Sequence, residues 1–301
     1  MKKALLYSIF ALGIASTTLT SCEDIFGGFL DKQPSNELTG EQVFSDWNLT
    51  VQFHLDTYNF LRHGAGRIST TWLDAATDLA EASYGNGVRT SFNIGNFYGG
   101  SGASELVDTW EHYYRGIRKC NMLLTRIEEV PQNPADSEDK YNRDKKNYIA
   151  EARFLRAYFY WELFLRYGPI PIVTEVLDPN GDLMSKYTTR PTTKEYVVDF
   201  ILEELKSCEG NLLDYETAWK SSSAGRIGQP MACALRSRIM LFMASPRYSS
   251  ESGITWQQAA DVAKEFIDTY GTNFALFNAK DATGATLGIE NYTNALLRTA
   301  Y

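Results

Sequence analysis

Between Leu106 and Ile127 the apolar residues fall at alternating steps of four and three: Leu106, Trp110, Tyr113, Ile117, Cys120, Leu124 and Ile127. Residues three and four apart share one face of an α-helix, so the spacing predicts an amphipathic helix of about six turns opening at Ser104. Pro131 and Pro134 close it. The next run, Asn142 to Tyr167, carries two stripes. One is Tyr148, Ala152, Leu155, Phe159 and Leu163, and the other is Phe154, Tyr158, Trp161 and Leu165. A helix that is apolar on opposite sides must be covered on both, as the central helices of stacked hairpin arrays are. Gly168-Pro169 ends this run, and Pro171 keeps the next segment extended.

The same periodicity predicts a helix opening near Ser45, with Trp47, Val51, Leu55, Tyr58 and Leu61 on one face, and others over 193–208, 229–243 and 255–270. The last carries Trp256, Ala259, Ala263, Phe266 and Tyr270. No segment sustains strand alternation. The expected fold is therefore all-α, with tetratricopeptide-like helix hairpins and long irregular loops, although no repeat matches the consensus text. One stretch differs. From Gly64 to Ala103 eight glycines interrupt the chain, and Asn86, Asn93 and Asn96 favour turns. Only a short helix near Trp72–Ala82 is expected there, and so long a loop inside a domain usually serves function.

The N-terminus reads as an export signal. Lys2 and Lys3 precede an uncharged run from Ala4 to Thr18 whose apolar core is too short to span a bilayer. Leu19-Thr20-Ser21-Cys22 then resembles the bacterial lipobox, where the cysteine is acylated after loss of the preceding peptide. That predicts a signal peptide over 1–21, lipid on Cys22, a tether over 22–35 and a helical body over 36–301. Two or three acyl chains anchor stably where one does not. Losing Lys2 and Lys3 takes the formal charge from −8 to about −10. An acidic chain without a basic cluster excludes nucleic acid as a partner. Beyond Cys22 there remain Cys120, Cys208 and Cys233, an odd set without CxxC spacing, which predicts buried free thiols.

Several blocks together resemble the SusD/RagB family of nutrient-binding outer-membrane lipoproteins of Bacteroidetes. Phe29-Leu30-Asp31 with Pro34 and Thr39 is similar to the family's opening text. The run Ala150 to Tyr158 and its continuation Arg166-Tyr167-Gly168-Pro169-Ile170-Pro171 resemble its most characteristic helix and that helix's end. Ala224-Gly225-Arg226 and Ala244-Ser245-Pro246 complete the series. Glu23-Asp24 after the lipobox resembles a surface-export signal of such lipoproteins. The resemblance implies an all-helical fold on the outer membrane, facing the cell exterior. It also implies a TonB-dependent, SusC-like transporter as partner and an oligosaccharide or peptide as ligand. Family members usually continue past the point where this chain stops, so a C-terminally truncated domain is expected.

Catalytic constellations are hard to find. His54, His63 and His112 lack metal-ligand spacing and read as helix-surface or turn residues. Gly99-Gly100-Ser101-Gly102 lacks the nucleophile-elbow spacing, and no phosphate or dinucleotide fingerprint occurs, so neither cofactor nor metal is expected. A carboxylate pair for glycoside hydrolysis stays open among 37 acidic residues. Glu151, however, reads as a salt-bridge partner, and Arg153 and Arg156 as pairing with acids or capping carbonyls. A glycan binder needs flat rings for sugar C–H faces and planar polar groups for hydroxyls. The glycine-rich stretch offers both. Its Arg67, Asp74 and Asn96 accompany the expected ligand residues Trp72, Tyr84, Asn86, Arg89, Phe97 and Tyr98, and the resemblance implies that this part of the chain contributes to the ligand face. A non-catalytic glycan-binding lipoprotein is the leading reading. A peptide receptor, a transporter scaffold without its own ligand and a glycoside hydrolase are the alternatives.

Overall fold

The computed structural model describes residues 39–62, 73–80, 93–96, 104–178, 180–182, 187–220 and 223–274. The chain divides into two compact units, 1–43 and 44–301. Thr39 and Gln42 of the first cap each other reciprocally at the start of helix α1 (Gly40–Phe44), whose last residue, Phe44, belongs to the second.

The second unit is helical, and no strand occurs among its described residues. Helix α2 (Trp47–Asp56) starts one residue later than the sequence suggests. Asp46 rather than Ser45 is the N-cap, its carboxylate accepting from Leu49 N–H at 2.9 Å. Helix α3 (Ser104–Arg126) begins where predicted. Helix α4 (Glu138–Tyr167) begins four residues before its prediction, capped by Ser137. Its first turn, Glu138-Asp139-Lys140, is solvated, and apolar spacing cannot mark a turn that buries nothing.

A π-helix comes next at Lys194–Leu202 and runs into α5 (Glu203–Glu209). The predicted helix is there, but its opening is π rather than α. Buried Tyr196 and Val197 are each followed five residues on by buried Ile201 and Leu202, which suits i→i+5 bonding. Then come α6 (Tyr215–Lys220), α7 (Gln229–Met243, as predicted, with Pro230 in its first turn), α8 (Ser249–Ser252) and α9 (Trp256–Tyr270). Thr255 and Gln258 form a capping box for α9. The short helix expected near Trp72–Ala82 is, among described residues, a single 3-10 turn at Leu73–Ala76 followed by bends.

Sequential neighbours stack: α3 on α4, α4 on the π segment and α5, α5 on α7, and α7 on α9. Helix α4 is the spine. Nearly every residue from Ala150 to Phe164 is buried, as its two stripes require, although the second stripe emerges at Leu165, 37% exposed. Its Leu155, Phe159 and Leu163 meet Tyr113, Ile117 and Cys120 of α3 in one core. Each of the leucine, isoleucine and phenylalanine side chains contributes about 1.5–3 kcal/mol by burial. The α3–α4 approach is close because position 116 is glycine: a Cβ there would stand 2.7 Å from Phe159 Cε2.

Cys120, Cys208 and Cys233 are free and buried, as predicted. Burial pushes the Cys120 and Cys208 thiols up to about 12. His54 corrects its sequence reading. It is no surface residue but 1% exposed, its Nε2 lying 2.8 Å from Glu151, because that face of α2 meets α4. His112 sits on α3 as expected and donates Nε2–H to the Phe60 carbonyl; burial lowers its pKa. His63 lies outside the described residues.

Candidate functional site

The outer row of α3 carries Trp110, Tyr114 and Arg118 at steps of four, beside the buried row of Tyr113, Ile117 and Cys120. Across it lies the segment that leaves α4 at Gly168. Tyr114 donates its hydroxyl to the Pro171 carbonyl at 2.9 Å, and Arg118 donates to the Leu177 carbonyl at 3.1 Å. Burial raises the Tyr114 pKa, so the hydroxyl remains a donor at neutral pH. Tyr160 both donates to the Val173 carbonyl and accepts from its N–H, at 2.9 and 2.7 Å. The segment is thus strapped onto the helix pair.

Between strap and helix opens a cavity of about 380 Å³, within the range of small-ligand sites. Trp110, Tyr114, Glu111, Arg115, Arg118 and Glu175 line it. Trp110 is 40% exposed, and its ring is held by neighbours: Tyr114 at 4.9 Å, tilted, and Tyr167 at 5.2 Å, edge-on. A braced and accessible indole flanked by guanidinium and carboxylate groups can stack on a sugar ring and bond its hydroxyls.

Two other places suit a ligand less well. A polar cleft of about 760 Å³ lies beside α4, but Arg226 covers the ring of its one aromatic residue, Tyr148, at 4.7 Å. Lys140 there is taken up by Asp136 and Asp144. Glu209, Cys233 and Glu265 have metal-ligand proximity, yet the Arg236 guanidinium stands 2.7–3.7 Å from all three and takes the place of a cation.

The expected ligand residues Trp72, Tyr84, Asn86, Arg89, Phe97 and Tyr98 lie outside the described residues, as do Arg67 and the acylation position Cys22. Asp74 and Asn96 are described, and both are exposed. Trp110 was missed as a site residue because its spacing placed it in the core stripe. The usable signal was a second row, Trp110–Tyr114–Arg118, whose polar end does not suit a core.

The charged residues of α4 pair across the fold. Glu151 is indeed an ion-pair residue, but with His54 and Arg226 rather than the adjacent arginines. Arg153 and Arg156 pair with Glu204.

A family model described as "Starch-binding associating with outer membrane" matches residues 28–241. The chain belongs to this SusD-like family. Two SusD-like proteins of Formosa agariphila are each 25% identical to it, over 216 and 167 residues; these cover 70% and 52% of this chain but 39% and 29% of theirs. Among solved structures, a SusD-like protein from Bacteroides fragilis aligns with a TM-score of 0.53 at 24% identity, covering 82% of this chain and 42% of its own. A laminarin-binding SusD-like protein aligns at 0.57 and 20%, covering 81% and 47%. The chain thus spans less than half the length of each of these SusD-like relatives. The structural likeness establishes the all-α, tetratricopeptide-like SusD fold.

Proposed function

We propose that this chain is a non-catalytic, cell-surface glycan-binding lipoprotein, held on the outer membrane by lipid on Cys22. It hands oligosaccharide to a TonB-dependent, SusC-like transporter, whose barrel supplies the import. One observation carries the reading: the match of residues 28–241 to a starch-binding, outer-membrane-associating family. The cavity under the strap supports it physically, since its accessible Trp110 ring and adjoining charged groups suit a sugar's two faces. In this reading Trp72, Tyr84, Asn86, Arg89, Phe97 and Tyr98 extend the ligand surface from the glycine-rich stretch that leads into α3.

Calorimetric titration of the protein with starch- and laminarin-derived oligosaccharides tests it. Binding is expected, with Trp110→Ala weakening it about tenfold, the loss of roughly one stacking contact. Shortened oligosaccharide after long incubation would overturn the non-catalytic part. Radiolabelled palmitate is expected on the wild-type chain and absent from Cys22→Ser.

A further inference from the structure

Behind the strap lies a polar relay that crosses three elements. Glu204 of α5 is 7% exposed and accepts from two arginines of α4. Arg153 donates Nε–H to its Oε1 at 3.2 Å, and Arg156 donates Nε–H and an NH2 hydrogen to its Oε2 at 3.3 and 2.7 Å. Arg156, also 7% exposed, spends its other terminal nitrogen on Asn121 of α3, donating to Oδ1 at 2.8 Å. Asn121 is fully buried. Its Nδ2 hydrogens go to the carbonyls of Val173 and Glu175, at 2.9 and 3.1 Å.

The amide orientation is dictated by chemistry. Turned over, Asn121 would set its NH2 against the Arg156 donor and its oxygen against two carbonyls. The site demands one acceptor on one side and two donors on the other, within the volume of a four-atom side chain. Aspartate supplies the acceptor but no donor, and leucine supplies neither. The polar requirement is therefore specific, and what it serves is the strap: Asn121 lines the cavity floor and holds the backbone on both sides of residue 174. Glu175 lines the same cavity: its backbone carbonyl takes that bond, and its carboxylate accepts from the Tyr187 hydroxyl at 2.5 Å.

We propose that Asn121, oriented by the Arg156–Glu204 pair, is a positioning residue: it fixes the 173–175 strap and thereby sets Glu175 against Trp110 for ligand. Arg156 and Glu204 act through it and touch no ligand. The inference rests on reading the cavity as the glycan site, but the hold on the strap can be measured without ligand.

The test compares wild type with Asn121→Asp, which keeps Arg156 paired and removes both donors, and with the uncharged isostere Asn121→Leu as a second variant. Amide hydrogen exchange followed by peptide mass spectrometry reads the strap, and titration with the oligosaccharide bound by wild type reads the site. Exchange over 171–178 is expected to quicken about tenfold, with α3 and α4 peptides unchanged and affinity lowered about tenfold. Unchanged strap exchange in a folded variant would overturn the proposal. So would a loosened strap with wild-type affinity. If wild type binds no oligosaccharide, the glycan reading fails by itself, and the exchange result still decides whether Asn121 holds the strap.

Discussion

Helix α4 carries two buried charge clusters, and they do different work. Toward its N-terminal half, fully buried Glu151 meets His54 of α2 and Arg226, 2.8 and 2.7 Å away. Arg226 also bonds Asn147, and its buried Nε–H finds no partner among the described residues. That cluster runs on through Asn147, whose Nδ2 donates to the Asn211 carbonyl at 3.2 Å. One turn on, Arg156 meets Glu204, but its remaining donor continues through Asn121 to the strap over the Trp110 cavity. A buried ion pair is weak evidence of stabilisation, because desolvation offsets much of the attraction. What distinguishes the two is where their spare hydrogen bonds lead. The first joins distant segments, whereas the second shapes a surface.

The comparison can be broken at the Glu151 cluster. Arg226→Met leaves Glu151 buried without its guanidinium partner, with His54 and Tyr58 beside it, and the expected cost is about 3–5 kcal/mol of stability, read by urea unfolding. Strap exchange should stay as in wild type until the whole domain opens. If Arg226→Met loosens 171–178 selectively, the two clusters are one network. A packing change farther along α4 comes next. Gly116→Ala drives a methyl into Phe159 and is expected to cost about 1–3 kcal/mol, lowering the melting temperature while leaving the affinity of any protein still folded.

The smallest effect belongs to an exposed pair that serves as a control. The Lys119 ammonium bonds Asp56 and holds that carboxyl below the ordinary aspartate range. Its contribution is present above the unfolded aspartate pKa and is lost as pH falls through the lower folded value. For a pair open to solvent that is under about 1 kcal/mol. The difference in unfolding free energy between wild type and Asp56→Asn, measured from pH 6 down to pH 3, should shrink toward zero. A difference as large at pH 3 as at pH 6 would mean that the side chain matters for a reason other than its charge.

Much of the scaffold was legible because helix periodicity is local. The row from Tyr113 to Ile127, the doubly covered α4 and the bounds of α7 all come from spacing. The polar start of α4 and the π opening before α5 did not, since one buries nothing and the other departs from the 3.6-residue period. Partners across the chain were less accessible still. Nothing near Glu151 in sequence names Arg226, and nothing in α2 marks His54 as interior; those pairings arise only when helices dock. Trp110 taught the same lesson in reverse. Its spacing fitted the core, while the tertiary arrangement left the ring at the rim.

Gly168 closes α4 with φ +68° and ψ −157°, a backbone region that residues with a β-carbon avoid. Open space surrounds the place where a Cβ would stand, so the demand is for a backbone shape and not for room. Every degree by which that joint rotates is multiplied along the residues leaving it. The roof above the indole hangs from a hinge pin set by stereochemistry alone, and its pitch is decided before any hydrogen bond downstream begins to hold it.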